Sequence, residues 1–88
     1  MGRYMISYDL VSPTNNREAV QDDIKSLGSW CKYLTTTFLV NTNYSNSQVQ
    51  EICTKHLDNN DKMIICEITG SVNGWLEKEQ WNWINANI

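Results

Sequence analysis

Histidine, paired cysteine and clustered basic charge are all scarce in this 88-residue chain, and each scarcity removes a class of function. With one histidine, His56, neither a histidine-rich metal centre nor a Ser-His triad is indicated. Cys31, Cys53 and Cys66 are odd in number, widely spaced and without a C-x-x-C pair, which argues against a disulfide framework or a zinc site. They read as small reduced hydrophobes. Seven lysines and arginines against ten acids leave a formal net charge of −3 with no basic block, so a broad phosphate-tracking groove is not expected. The longest apolar runs are strand-sized, far short of the ~20 residues that span a bilayer, and the first residues lack the order of a signal peptide. These features predict an intracellular, cytoplasmic protein that does not enter membranes. No internal repeat or low-complexity tract is present.

What the chain does have is aromatic side chains. Trp30, Trp75, Trp81 and Trp83 together with four tyrosines are a heavy load for one small domain of residues 1–88. A chain of this size buries only roughly 60 to 65 percent of its unfolded surface, so association would add stability.

The pattern predicts an α+β fold. Over residues 3–10, Tyr4, Ile6, Tyr8 and Leu10 alternate with Arg3, Met5, Ser7 and Asp9, the period of a strand with one strongly apolar face. Pro13 closes it. Val20, Ile24 and Leu27 recur at helical spacing over 16–27, with Gly28 placed as a left-handed helix cap. Residues 30–42 are β-branched and aromatic and too long for one strand, which predicts a hairpin turning near Leu34 to Thr36. Ser45 and Gln48 form a capping box ahead of a stripe of Val49, Ile52, Cys53 and Leu57. Asn59, Asn60 and Asp61 make a turn, and residues 62–69 read as the last core strand. The order is that of a ferredoxin-like βαββαβ sandwich (core 3–69), with an extra Trp-rich segment over 74–88. Leu76, Trp81, Trp83 and Ile84 make this tail an amphipathic helix that packs across the open sheet face or against a second copy.

In such a sandwich the first strand is central, between the third and fourth. The end of the first strand then meets the beginnings of the other two, so Asp9, Asp61, Thr35 and Thr36 gather at one rim. Two carboxylates with hydroxyls and water suit a hard cation such as Mg²⁺. The alternative is that Asp9 accepts hydrogen bonds at a strand end and Asp61 serves a turn. Arg17, in the first turn of the first helix, can pair with Asp9, hold a phosphate or lie in solvent. Glu67 shares a strand face with Met63 and Ile65.

The segment Y-M-I-S-Y-D-L at 4–10, the L-G ending the first helix, the T-F-L-V ending the hairpin and N-D-K-M-I-I-C-E-I at 60–68 together resemble the small ferredoxin-fold CRISPR-associated endonucleases of spacer acquisition. The resemblance extends to their virulence-associated protein D relatives, covers residues 3–69 and is sharpest at Tyr8-Asp9. L-G-x-W, the Thr-rich hairpin and E-I-T before a Trp cluster are most similar to that group's uncharacterised branch of short proteins. The resemblance implies a homodimer with facing sheets, in which Asp9 of each chain is a metal ligand and Arg17 matches an arginine early in the first helix.

Two functions follow as expectations. One is a metal-dependent phosphodiesterase or ribonuclease acting on RNA or DNA, with Mg²⁺ held by Asp9 and with Asp61 as a further candidate ligand. The alternative is a non-catalytic homodimeric protein-interaction module that uses the open sheet and the Trp-rich tail.

Overall fold

The computed structural model describes residues 2–11 and 16–88; Pro13 and most of the loop after the first strand lie outside the described residues. The chain is α+β. Its elements run β1 (Gly2–Asp9), α1 (Asn16–Lys25), β2 (Gly28–Leu34), β3 (Thr37–Thr42), α2 (Asn46–Cys53), β4 (Lys62–Glu67) and α3 (Lys78–Asn87). The four strands form one sheet in the order β2-β3-β1-β4, and every neighbouring pair is antiparallel.

Strand alternation divides the sheet into two faces. Tyr4, Ile6 and Tyr8 of β1 and Phe38 and Val40 of β3 turn to one side, where they bury against Val20 and Ile24 of α1, Leu27, and Val49 and Cys53 of α2. Each large apolar side chain withdrawn from water there contributes about 1.5–3 kcal/mol, which makes this layer the principal source of stability. Asp23 of α1 joins the end of α2 through His56, their Oδ2 and Nδ1 atoms 2.7 Å apart, and lies 4.0 Å from Lys55.

The second helix begins as its capping box predicts. Gln48 N donates to Ser45 Oγ at 3.3 Å, and Ser45 N donates to Gln48 Oε1 at 2.9 Å. The first helix is shorter than its periodicity suggests, ending at Lys25 with Ser26 and Leu27 in a turn. Gly28 is therefore not a helix cap but the first residue of β2. Its φ of +152° still requires glycine, and a Cβ there would lie 2.6 Å from Asn41 O.

The hairpin turns at Thr35-Thr36 with no Asn-Gly pair. The register shifts between Lys32↔Phe38 and Leu34↔Thr37, so Tyr33 is the extra residue of a bulge. Non-glycine residues with positive φ are absent among the described residues, so the tight turn cannot use a primed geometry; the bulge supplies the added twist instead.

Beyond Glu67 the chain crosses the opposite sheet face and ends in α3. Gln80 Nε2 donates to Tyr33 O (3.1 Å), Trp83 Nε1 to Ser29 Oγ (3.2 Å), Asn41 Nδ2 to Asn87 O (3.0 Å), and the Arg3 guanidinium to Ile88 O. The tail thus packs on the face opposite α1 and α2, where it buries Leu39 to 1% exposure. Ile84 is its buried anchor, whereas Trp75 stands 100% exposed. No helix among the described residues is long and apolar enough to cross a membrane.

Candidate functional site

Asp9 is the last residue of β1, exposed, and directly opposite Lys62 on β4. Its neighbours are held on both sides. Tyr8 is buried with its ring 6.5 Å from Phe38, donates its main-chain N–H to Thr36 O at 3.1 Å, and accepts at its hydroxyl from Gln21 Nε2 at 2.9 Å. Leu10 packs against the core. The carboxylate is therefore presented to solvent by a rigid strand end rather than by a loose loop.

Alternation places Asp9 on the tail's side of the sheet, where the tail's hydrogen bonds meet Arg3, Ser29 and Asn41 and, along the β2 edge, the carbonyl of Tyr33. Two rows down on this face, past Cys31, Leu39, Met5 and Cys66, come Leu34, Thr37, Ser7 and Ile64, matched in register across all four strands. Ser7 Oγ and Thr37 Oγ1 share a hydrogen bond of 3.1 Å at its centre. Leu34 and Ile64, at its two ends, are 55% and 60% exposed. Below that row a shallow groove is lined by Ser7, Tyr8, Asp9, Lys62, Met63 and Ile64. Asp9 thus sits beside an uncovered, partly apolar half-face.

Asp61 immediately precedes β4, and its carboxylate joins two loops. Oδ1 accepts from Val11 N at 2.9 Å and Oδ2 from Asp58 N at 2.9 Å. Sequence spacing alone does not reveal the bond to Val11, which links residues fifty positions apart. The local bond to Asp58 is legible in D-N-N-D, because an acidic side chain commonly closes its own turn. Arg17 is exposed in the first turn of α1, and among the described residues it forms no ion pair with Asp9. Glu67 lies opposite Tyr4, on the face shared with Met63 and Ile65, and is exposed there.

No group of three or more His, Cys, Asp or Glu side chains able to hold a metal occurs among the described residues. One chain therefore offers a divalent ion the exposed Asp9 carboxylate, with the Lys62 ammonium on the paired residue opposing a cation and Asp61 already accepting from two amides. Mg²⁺ is ordinarily held by one or two carboxylates plus waters or substrate oxygens, and Asp9 offers one such carboxylate.

The thiols lie apart from this rim. Burial, reinforced by the charge of Asp23 and offset in part by Lys55, pushes the Cys53 thiol up to about 12. Burial also raises Cys31, and raises Tyr33 with a further contribution from Cys31. Cys66 is exposed on β4.

Neither a protein-family model nor a curated relative matches the chain. Among solved structures it is similar to the crystal structure of a hypothetical protein, TT1823, from Thermus thermophilus, with a TM-score of 0.63 and 18% identity over 86% of this chain and 94% of that one. At that identity the likeness describes the fold alone.

Proposed function

We propose that this chain is a ferredoxin-like sandwich that acts as a homodimeric, metal-dependent phosphodiesterase or ribonuclease, with Asp9 of each copy contributing one ligand to a shared Mg²⁺. The observation that carries the reading is the exposed Asp9 carboxylate at the end of the central strand, beside the half-face that the tail leaves open. Antiparallel order β2-β3-β1-β4 with α1 and α2 on one face supports the ferredoxin-like part of the reading. The row of Leu34, Thr37, Ser7 and Ile64 supports apposition of two copies, since its exposed apolar ends gain from being covered.

Each copy presents one carboxylate on a fixed backbone, so two-fold symmetry brings a pair to the interface without any further acidic residue. Lys62, paired with Asp9 across the ladder, is the residue we assign to contact a substrate phosphate. Arg17, exposed in the first turn of α1, is assigned to a second phosphate contact on RNA or DNA. A bound Mg²⁺ supplies Lewis-acid stabilisation at a phosphodiester and activates water.

The test combines Mn²⁺ and Mg²⁺ titration calorimetry, light scattering for mass, and cleavage of labelled RNA and DNA, on wild type and Asp9→Asn. Metal binding at one ion per two chains, lost in Asp9→Asn with the melting temperature preserved, supports the reading. A monomer, or metal binding and cleavage unchanged by Asp9→Asn, sinks it.

A second reading, a non-catalytic homodimeric interaction module, is favoured by the fully exposed Trp75. It predicts a dimer without metal-dependent cleavage, from which Trp75→Ala removes partner binding and leaves the fold intact.

A further inference from the structure

We infer that Asp61 is a positioning residue for Asp9, extending the β1–β4 ladder by one rung past the point where the main chains part; the inference rests on the reading of Asp9 as the metal ligand. In the β1–β4 pair the hydrogen-bonded rungs fall on alternate residues. Ile68 N donates to Arg3 O at 2.7 Å, so the same parity continues through Met5↔Cys66, Ser7↔Ile64 and Asp9↔Lys62. The next rung would join Val11 to residue 60, but β1 ends at Asp9. At that position Val11 N donates instead to the Asp61 side chain, at 2.9 Å.

The carboxylate can serve as this acceptor because its own turn fixes it. Asp61 N donates to Asp58 O at 3.0 Å while Asp58 N donates to Asp61 Oδ2 at 2.9 Å, a reciprocal pair that sets the side-chain direction and leaves Oδ1 aimed across at Val11. Amide bonds to an ionised carboxylate are stronger than amide–carbonyl bonds, so the rung closes at a place where two strands would otherwise fray. Asp9 lies two residues before Val11. It is held upstream by Tyr8 in the core and downstream by this clamp, so its backbone cannot swing as the strand opens. A ligand contributed once per chain depends on such fixing, because the shared site tolerates little error in either half. Asp61 thus acts through Asp9 and is not itself bound to the ion.

The test uses the full chain, labelled for NMR, as wild type, Asp61→Asn and Asp61→Ser. Asn keeps one acceptor of the two and Ser keeps a turn-forming hydroxyl, so the two variants disturb the turn to different extents. Amide hydrogen exchange at Val11 is expected to rise about tenfold or more, the cost of a lost charge-assisted bond, while exchange at Ile6 stays unchanged. The Asp9 side-chain carboxyl resonance is expected to move, and Mn²⁺ affinity to fall several-fold without being abolished. In wild type, Mn²⁺ should broaden the Asp9 carboxyl before that of Asp61. Unchanged Val11 exchange and an unmoved Asp9 resonance in both variants would overturn the inference. So would a loss of Mn²⁺ binding as complete as in Asp9→Asn, or equal broadening at Asp61, since either makes Asp61 a ligand. If wild type binds no Mn²⁺ at Asp9, the proposed function fails, and the exchange and resonance measurements still decide whether Asp61 positions Asp9.

Discussion

Gly28 faces the main-chain oxygen of Asn41 so closely that a Cβ built on it lies 2.6 Å from that oxygen. The neighbour is backbone on the adjoining strand and cannot step aside as a flexible side chain would. Gly28→Ala should therefore cost about 1–3 kcal/mol in urea denaturation, from both the positive φ and the clash. Gly70 has no atom within 4 Å of the corresponding position, so Gly70→Ala should stay within about 0.5 kcal/mol of wild type.

The tail is held by one buried apolar side chain and several polar ties. Ile84→Ala should destabilise by about 2–4 kcal/mol, whereas Trp75→Ala should change stability by less than about 0.5 kcal/mol. Cutting the chain after Gly70 should expose Leu39 and increase binding of an apolar dye. A truncated protein with unchanged dye binding and melting temperature would show that α3 does not cover the sheet.

Asp23 joins α1 to the turn after α2 through His56 at 2.7 Å, with the His56 side chain 48% exposed. Solvent screening at that exposure limits the pair to about 0.5–1 kcal/mol. A double-mutant cycle of Asp23→Ala and His56→Ala should return a coupling energy of that size, declining in high salt.

Cys53 supplies a pH dependence with a definite sign. Its folded-state thiol stands at about 12, above an ordinary value of 9.0, so between these limits the unfolded chain holds fewer protons than the folded one. The stability that burial of the neutral thiol contributes is complete below pH 9 and is lost as pH rises toward 12. Cys53→Val should flatten the alkaline arm of a stability–pH curve, as read by denaturant midpoints from pH 7 to 11. At pH 8 an alkylating reagent should modify Cys66 first and leave Cys53 untouched until the protein unfolds.

Local chemistry was the legible part of this structure. Alternating Tyr4, Ile6 and Tyr8 announce the buried face of β1, and Ser45 with Gln48 announces the start of α2, because both signals lie within a few residues. Thr35-Thr36 is found as a turn from the length of the β-prone run, yet the bulge that makes it workable leaves no motif in the sequence. Gly28 is read correctly as a residue with positive φ but assigned to a helix end, since α1 stops two residues before the periodicity of Leu27 suggests. Strand alternation sets Asp9 on the mixed face with Arg3, Met5 and Ser7, and the order of elements sets it at the rim. That Asp61 reaches Val11 depends on the register of two distant strands and on a side-chain direction, neither of which composition or spacing specifies.

The extra residue in β2 sets the limits of tolerated length change. Because Tyr33 is inserted, Leu34 stays on the tail's side of the sheet, and the carbonyl of Tyr33 receives Gln80. Deleting Tyr33 would return the ladder to regular pairing with Leu34 still opposite Thr37, but would remove the carbonyl on which α3 docks. The crossing segment from Ser71 to Gly74 carries no such constraint, so insertions and deletions in a lineage of such chains should gather there and spare the hairpin.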